Sequence, residues 1–338
     1  MKRSMWQGIA GAFLAVILAM PMWATTANQN PAVPGTLNYV EGQVSIGDQP
    51  LTAKSIGSTN LETGQSIETQ NGKAEILLTP GVFLRVGDNS SVKMLSPSLT
   101  YTEVDVTRGQ AMVEVAEIRP ENDLRVMEDG AATQLQKTGL YGFDANTRQV
   151  RVFDGQATVL EGDEHVKVKG SHEVTLDTPG KLKARKFDKN DFEQSDLYRF
   201  SSLRSSYLAE ANTNAARIYV ANGWYGPGWI GAGWYWDPWF SAYTFIPADG
   251  IFYSPFGWGF YSPLLVYRAP VFYRGPFVHR FGPAYHPPGF ARAGHFRPIG
   301  PRAMPQVAPR GGMHAFGSFP GAPGGFHGGG FHGGPGRR

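Results

Sequence analysis

Residues 61–95, LETGQSIETQNGKAEILLTPGVFLRVGDNSSVKML, alternate apolar and polar side chains between short turn signals. In VFLRV, Val82, Leu84 and Val86 share one face, because successive side chains of a strand point to opposite sides of a sheet. Asn71-Gly72, a dipeptide typical of turns, precedes another apolar run, AEILL at residues 74–78. The stretch therefore predicts short β-strands separated by tight turns.

The same two-residue period extends over residues 35–186. Alternate apolar positions recur in further segments: Val104 and Val106, Val113 and Val115, Val150 and Val152, Val166 and Val168, Val174 and Leu176. Residues 165–176, HVKVKGSHEVTL, predict a hairpin that turns at Gly170-Ser171. Turn residues at regular intervals between short strands are typical of a sandwich, a barrel or a β-solenoid. The sequence thus predicts a mainly β domain over residues 35–186, an antiparallel sandwich or a solenoid-like domain.

The dipeptide Gly-Gln occurs four times in this region, in EGQVSI, TGQSIETQ, RGQAMVEV and DGQATVLE. Three of the four pairs lead directly into an alternating apolar run. Glycine adopts positive φ without the steric cost that other residues meet. We therefore expect these glycines to supply a tight turn or a bulge before a strand.

An ordered block of residue types runs through the region: Gly-x-Val, then Leu-x-x-Gly, Ile-x-Thr, Gly-x-Ala-x-Leu-x-Leu, Gly and Leu-Arg. The block is carried by Gly42, Val44, Leu61, Gly64, Ile67, Thr69, Gly72, Ala74, Ile76, Leu78, Gly81, Leu84 and Arg85. A looser Gly-Thr-x-Phe block is approximated by Thr138-Gly139 and Tyr141-Gly142-Phe143. This pattern resembles the FecR-like periplasmic domain family, over residues 35–186 of the chain.

The resemblance implies an exported, β-rich domain that acts by protein contact and has no catalytic residues. The best-known members are iron-siderophore signalling regulators with a cytoplasmic anti-sigma segment, one membrane helix and then this domain, which contacts an outer-membrane receptor. Here only eight residues precede the first apolar run. We therefore expect a stand-alone exported member of the family that lacks the anti-sigma segment.

The first 27 residues read as an export signal. Lys2 and Arg3 form a positive start, Ile9 to Met20 is an uncharged, mostly apolar run, and small residues follow. Cleavage is predicted after Ala24 or Ala27. The run is shorter than the ~20 apolar residues that span a bilayer, so we expect no membrane span after the signal is removed, and a periplasmic or cell-envelope location.

Beyond the β domain the pattern changes twice. Residues 187–221 place apolar side chains at intervals of three or four, which predicts a helical bridge that packs on the β domain or binds a partner. Residues 222–263 are rich in Gly, Trp and Tyr, and their five-residue Gly-Trp spacing fits neither a helix nor a strand. The candidate aromatic contact surface consists of Trp224, Trp229, Trp234, Trp236, Trp239 and Trp258. The alternative, which we favour because a dense exposed aromatic set promotes aggregation, is that these side chains pack against the β domain and the helix.

Residues 264–338 are rich in Gly, Pro, Arg and His, which predicts a disordered tail. Residues 250–338 hold nine arginines and no Asp, Glu or Lys, a charge asymmetry that suits an anionic surface. The tail also carries six of the eight histidines, and His327 and His332 are weak candidate metal ligands. Because the chain is predicted to be exported, we expect no nucleic-acid partner.

No pattern in the chain indicates an enzyme. There is no cysteine, which excludes disulfides and thiol chemistry. The sequence lacks the G-x-S-x-G, H-E-x-x-H and phosphate-loop motifs. The two histidines of the β domain, His165 and His172, lie in a Lys- and Glu-rich segment typical of a solvated strand face.

We predict a non-enzymatic envelope protein without a cofactor, whose β domain contacts a protein or another envelope component. The alternative is a protein that binds an envelope surface, a polyanion or a metal through its tail.

Overall fold

The computed structural model describes residues 31–176, 182–221 and 231–270. The predicted signal segment and its cleavage sites lie outside these residues. So do Trp224, Trp229, His327, His332 and the predicted tail from residue 271 onward.

The described residues form mainly strands, with one long helix after them. The helices are α1 (Asn190–Glu193) and α2 (Asp196–Ala221), and short 3₁₀ turns lie at Ala53–Ser55 and Pro263–Arg268. The strands are β1 (Leu37–Ile46), β2 (Gln49–Pro50), β3 (Ser66–Leu77), β4 (Val82–Val86), β5 (Ser91–Pro97), β6 (Tyr101–Arg108), β7 (Gln110–Val115), β8 (Asp123–Glu128), β9 (Ala131–Leu135), β10 (Gly139–Asp144), β11 (Gln149–Asp154), β12 (Gln156–Glu161), β13 (Glu164–Lys169), β14 (His172–Thr175), β15 (Arg185–Lys186), β16 (Gly233–Asp237), β17 (Ala242–Ile246), β18 (Ile251–Tyr253) and β19 (Gly259–Tyr261).

Strands β1 to β15 belong to one sheet that folds over on itself. Its order is β13-β12-β9-β8-β6-β5-β3-β4-β7-β10-β11-β14-β15, and β1 pairs along β3. Strand β3 is long enough to pair with β5 near its start and with β4 near its end. It therefore joins layer 1 (β13, β12, β9, β8, β6 and β5) to layer 2 (β4, β7, β10, β11, β14 and β15).

The two layers enclose one apolar core. Val104 and Val126 of layer 1 and Val113 and Val152 of layer 2 belong to the same cluster of buried side chains. Alternate residues point inward along each strand, because the side-chain period of a strand is two. The predicted mainly β fold is confirmed, and so is the inward face at Val104 and Val106. The prediction of a purely antiparallel domain is wrong at one pair, because β6 and β8 run parallel; alternation of side chains does not specify strand direction.

The hairpin predicted over residues 165–176 is wrong. Strand β13 pairs with β12, whereas β14 pairs with β11, at the other end of the sheet order. The turn at Gly170-Ser171 therefore carries the chain from one layer to the other. The alternating valines correctly predicted that both segments are strands. Local spacing, however, does not specify which distant strand each segment pairs with.

The prediction for the Gly-Gln pairs is confirmed. The four glycines have positive φ: Gly42 (68°), Gly64 (85°), Gly109 (73°) and Gly155 (95°). Strands β3, β7 and β12 begin within two residues of the last three. A side chain at Gly155 would also lie 2.4 Å from the Tyr141 hydroxyl. This position therefore requires glycine both for its positive φ and for lack of space.

Helix α2 and the aromatic segment cover the outer face of layer 2. Leu208 of the helix and Phe245 of β17 share a buried cluster with Phe83 of β4. Strand β4 is consequently buried on both faces. The expectation that the Gly-Trp segment avoids strand structure is wrong for residues 233–237, which pair with β17 as a hairpin. The aromatic side chains stabilise this strand by packing, although the spacing of the Gly-Trp pairs gave no sign of it.

The described chain continues past the predicted start of the tail at residue 264. The 3₁₀ turn Pro263–Arg268 packs against the end of α2 through Val266 and Ala269, which join Ala215 and Ala216 in a buried cluster. The boundary predicted at residue 264 thus falls inside a packed element.

Candidate contact surfaces

A buried ion network fixes α2 to the sheet. Arg85 of β4 donates from Nε to Glu75 of β3 at 2.9 Å and from Nη1 to Glu114 of β7 at 2.5 Å. Arg204 of α2 donates from Nη2 to the other oxygen of Glu75 at 2.8 Å. Ser205, also on α2, donates its hydroxyl to Glu114 at 2.8 Å. The network therefore contains two carboxylates and two guanidinium groups, and it spans three strands and the helix.

Burial and charge act in opposite directions on these carboxylates. Burial alone would raise the pKa of Glu75, but Arg204 and Arg85 outweigh it and hold that pKa below its usual range. Burial raises the pKa of Glu114 despite the opposing effect of Arg85. Glu75, Arg85 and Glu114 are fully buried, so a substrate has no access to them. We therefore interpret this network as a scaffold and not as an acid-base site.

Amide side chains extend the attachment to the aromatic hairpins. Asn38 of β1 donates to the carbonyl of Tyr243 at 2.9 Å and accepts from the Tyr243 amide at 2.7 Å. Asn212 of α2 donates to the carbonyls of Phe245 and Tyr261 and accepts from the Tyr261 amide. Each buried side-chain amide thus bonds backbone groups of the hairpins that lack a strand partner at that position. These bonds attach the hairpins to the sheet through Asn38 and to the helix through Asn212.

The described tryptophans of the predicted contact surface have different surroundings. Trp234 packs edge-on against Phe83 at 5.2 Å between ring centres, and Trp236 packs against Tyr243 at 5.1 Å. The indole nitrogen of Trp258 is buried. Trp239, in contrast, is 66 % exposed at the turn between β16 and β17. The structure therefore does not bring these four side chains together on one open face.

Among the described residues, no helix or strand covers the outer face of layer 1. Outward side chains of β6, β8, β9 and β12 are partly or fully exposed, in alternation with buried ones. Strand register aligns them in two rows across the layer. One row is Glu103, Arg125, Gln134, Thr158 and Lys167, and the other is Asp105, Met127, Ala132, Leu160 and His165.

The open face combines fixed charges with apolar side chains. Arg125 donates two hydrogen bonds to Asp123, at 3.0 and 2.8 Å, and its guanidinium lies 5.5 Å from the Tyr101 ring centre. Burial raises the pKa of Asp105, against the opposing effect of Lys93. Leu160 is 38 % exposed. A face with ordered charges beside exposed apolar groups has the composition of a protein contact surface.

Strand β13 forms the free end of layer 1 in the sheet order. His165, Lys167 and Lys169 are exposed at alternate positions along it. Lysines on an edge strand are typical of edges that natural proteins protect from unspecific pairing. An edge of this kind accepts an added strand only when the partner supplies complementary charge.

One carboxylate is buried without a side-chain hydrogen-bond partner among the described residues. Glu128, the last residue of β8, is fully buried, and neither side-chain oxygen has a side-chain partner among these residues. The backbone amide of Asp144 acts on the carboxylate as a donor and opposes the rise in its pKa. Burial, followed by the nearby carboxylate of Asp144, raises the pKa of Glu128 to about 8. Glu128 is thus protonated over most of the physiological pH range.

The described residues provide no metal site. His165 is exposed, and His172 lies with Nδ1 3.0 Å from the carbonyl of Gly170. No group of three or more His, Asp or Glu side chains within residues 31–176, 182–221 and 231–270 has the arrangement that would hold a metal ion. Within the same residues, neither helix is long and apolar enough to cross a membrane.

Strands β3 to β14, with the part of the motif block from Ile67 to Arg85, lie in a segment that matches a known family. Gly42, Val44, Leu61 and Gly64 precede that segment. Residues 65–181 match the FecR protein family. The FecR region thus contains Arg85, Glu75, Glu114 and most of the open face. Helix α2 and the aromatic hairpins lie after the FecR region.

Two solved structures are similar to parts of this chain. One, at 1.65 Å resolution, is a candidate anti-sigma factor from Parabacteroides distasonis, with 12% identity over 41% of this chain and 64% of that one and a TM-score of 0.33. The other, at 2.50 Å resolution, is also a candidate anti-sigma factor from that organism, with 14% identity over 54% of this chain and 99% of that one and a TM-score of 0.34. The chain thus spans less than two thirds of the first. No curated protein matches the sequence.

The sequence did not reveal the ion network around Arg85. Arg85 belongs to the Leu-Arg step of the FecR block, but the alternating pattern places Glu75, Arg85 and Glu114 on the outward side of their strands, where charged side chains usually face water. The apolar face of the helical bridge could have indicated the network. A helix that packs its apolar face on those strands also covers their outward charged side chains, which must then pair with one another.

Proposed function

We propose that this protein is an exported, non-enzymatic contact protein of the cell envelope, and that its FecR region binds a protein partner through the outer face of layer 1. The observation that carries the proposal is the unequal covering of the sandwich. Layer 2 is covered by α2 and the aromatic hairpins. The outward side chains of layer 1 remain exposed beside an edge strand.

The match to the FecR family supports a contact function, because the family resemblance implies an exported domain that acts on other proteins. The predicted export signal over residues 1–27 supports an envelope location for the FecR region. The buried ion network supports the same view, since Glu75, Arg85 and Glu114 are fully buried and attach α2 to the other layer.

The test is photo-crosslinking in intact cells. A crosslinking residue in place of Thr158 is expected to capture a protein partner, whereas one in place of Arg199, exposed on α2, is expected to capture none. The substitution Leu160→Asp should abolish the adduct. Leu203→Asp is the matched control, because Leu203 is similarly exposed but lies on α2. Equal adducts in both variants would refute a partner on layer 1.

A second candidate function rests on charge. Residues 271–338 carry eight arginines and no acidic residue, which favours retention on an anionic envelope surface. A chain that ends at Pro270 keeps every packed element described above. Release of this truncated chain from the envelope would favour the second function, and unchanged retention would exclude it.

A further inference from the structure

Exposed apolar side chains occur on both of the elements that meet at the C-terminal end of α2. The 3₁₀ turn Pro263–Arg268 packs there with its buried side toward Ala215 and Ala216. Its other side presents Leu264, which is 55 % exposed, and Tyr267, which is 71 % exposed. Ile218, in the last two turns of α2, is 48 % exposed.

The charges around these side chains are mainly positive. Arg217 and Arg268 are exposed. Arg268 lies beside Tyr267, with its guanidinium carbon 5.6 Å from the ring centre and Nε 3.2 Å from the hydroxyl. Among the described residues, Asp249 is an acidic residue near the turn, adjacent to Gly250, whose carbonyl accepts from the Ser262 amide. Beyond Pro270 the chain continues with the eight arginines of residues 271–338.

We propose that this end of the molecule, formed by Ile218, Leu264, Tyr267, Arg217 and Arg268, docks onto an anionic phospholipid surface. Tyrosine suits the boundary between headgroups and acyl chains, because its ring is apolar and its hydroxyl polar. Arginine donates charge-assisted hydrogen bonds to phosphate. Exposed aliphatic side chains beside basic ones are the composition of an interfacial anchor.

This surface lies outside the FecR region, and the inference goes beyond the proposed protein contact. The two can fail separately. Loss of lipid binding would leave the crosslinks from layer 1 intact, and loss of the protein partner would leave vesicle binding intact. The lipid surface also differs from the arginine-rich segment, because its residues lie on α2 and on the 3₁₀ turn Pro263–Arg268, before residue 271.

Vesicle flotation tests the proposal. The purified chain, with and without residues 271–338, is mixed with vesicles of phosphatidylcholine alone or with added phosphatidylglycerol. We expect both forms to float with the anionic vesicles, and the full chain to bind more tightly. Changing Arg217→Gln should weaken binding about fivefold, the usual effect of one basic residue near an anionic leaflet.

The double variant Leu264→Ser, Tyr267→Ser should reduce anionic vesicle binding by about tenfold, because both side chains lose their contact with the acyl boundary. Leu99→Ser is the matched control, since Leu99 is 51 % exposed but lies in the loop between β5 and β6. Unchanged thermal unfolding of both variants would show that folding is intact. Binding that survives the double variant, or that requires only residues 271–338, would overturn the proposal.

Discussion

Arg204 of α2 and Glu75 of β3, 129 residues apart in the chain, form a buried ion pair with Nη2 2.8 Å from Oε1. Glu75 is fully buried and Arg204 is 5 % exposed. The pair joins the helix to the FecR region, and Arg85 holds the second oxygen of the same carboxylate. Helix docking and sheet stability are therefore coupled through one side chain.

The first prediction concerns this coupling. Arg204→Met should lower the free energy of unfolding by about 3 kcal/mol, because it leaves buried negative charge with a single cationic partner. Arg199→Met, at an exposed position of the same helix, should change it by less than about 0.5 kcal/mol. Urea unfolding followed by circular dichroism measures both. Equal effects of the two substitutions would show that the ion pair contributes no net stability.

The second prediction concerns Glu128. Its native pKa of about 8 lies above the ordinary value of 4.5, so the folded state binds a proton that the unfolded state has released between these pH values. Stability should therefore fall as pH rises from about 4.5 to 8, by up to about 1.4 kcal/mol per pH unit. Asp144, Asp129 and Arg151 are the charged groups that act on Glu128.

Glu128→Gln removes this titration. The variant should match the natural chain in stability near pH 4 and exceed it near pH 8, as measured by thermal unfolding over that range. Glu62→Gln, at an exposed loop position, is the control and should leave the pH dependence of stability unchanged. A parallel pH profile for Glu128→Gln and the natural chain would show that Glu128 does not bind the extra proton.

The third prediction compares two glycines of the Gly-Gln pairs. Gly64→Ala should cost about 1 kcal/mol, because the residue adopts positive φ but has open space around it. Gly155→Ala should cost more, since the new methyl group would lie 2.4 Å from the Tyr141 hydroxyl and 2.7 Å from the Thr138 carbonyl. Chemical denaturation gives both values. A Gly155 variant no less stable than the Gly64 variant would show that the packing around Tyr141 relaxes.

Much of the sandwich was predictable, because strand period and turn chemistry are local. The inward valines of β6 and the positive φ of Gly109 follow from neighbouring residues alone. The pairing of β13 with β12 was not predictable, since it depends on which layer each strand enters. The burial of Arg85 was hidden for the same reason, because the helix that covers it lies over 100 residues further along the chain.

The candidate contact surfaces were less predictable than the fold. The sequence indicated the tryptophans as one group, but the structure packs Trp234 against Phe83 and leaves Trp239 exposed. The spacing of Gly and Trp along the chain does not indicate which tryptophan ring packs against a strand that is distant in sequence. The open face of layer 1 was also hidden, because an exposed face is recognised only when the covering of the other face is known.

The fourth prediction concerns the 3₁₀ turn Pro263–Arg268 and its contribution to stability. A chain that ends at Pro270 should unfold at the same denaturant concentration as the full chain, because every buried residue of the 3₁₀ turn is retained. A chain that ends at Ser262 should lose about 2 kcal/mol of stability, since it removes Val266, which is 4 % exposed, and Ala269 from their contacts with α2. Val266→Ala in the full chain should reproduce about half of that loss, because it keeps the backbone of the turn and removes two buried methyl groups. If the two truncated chains prove equally stable, the 3₁₀ turn does not contribute to the core, and the residues exposed on it cannot serve as a fixed surface.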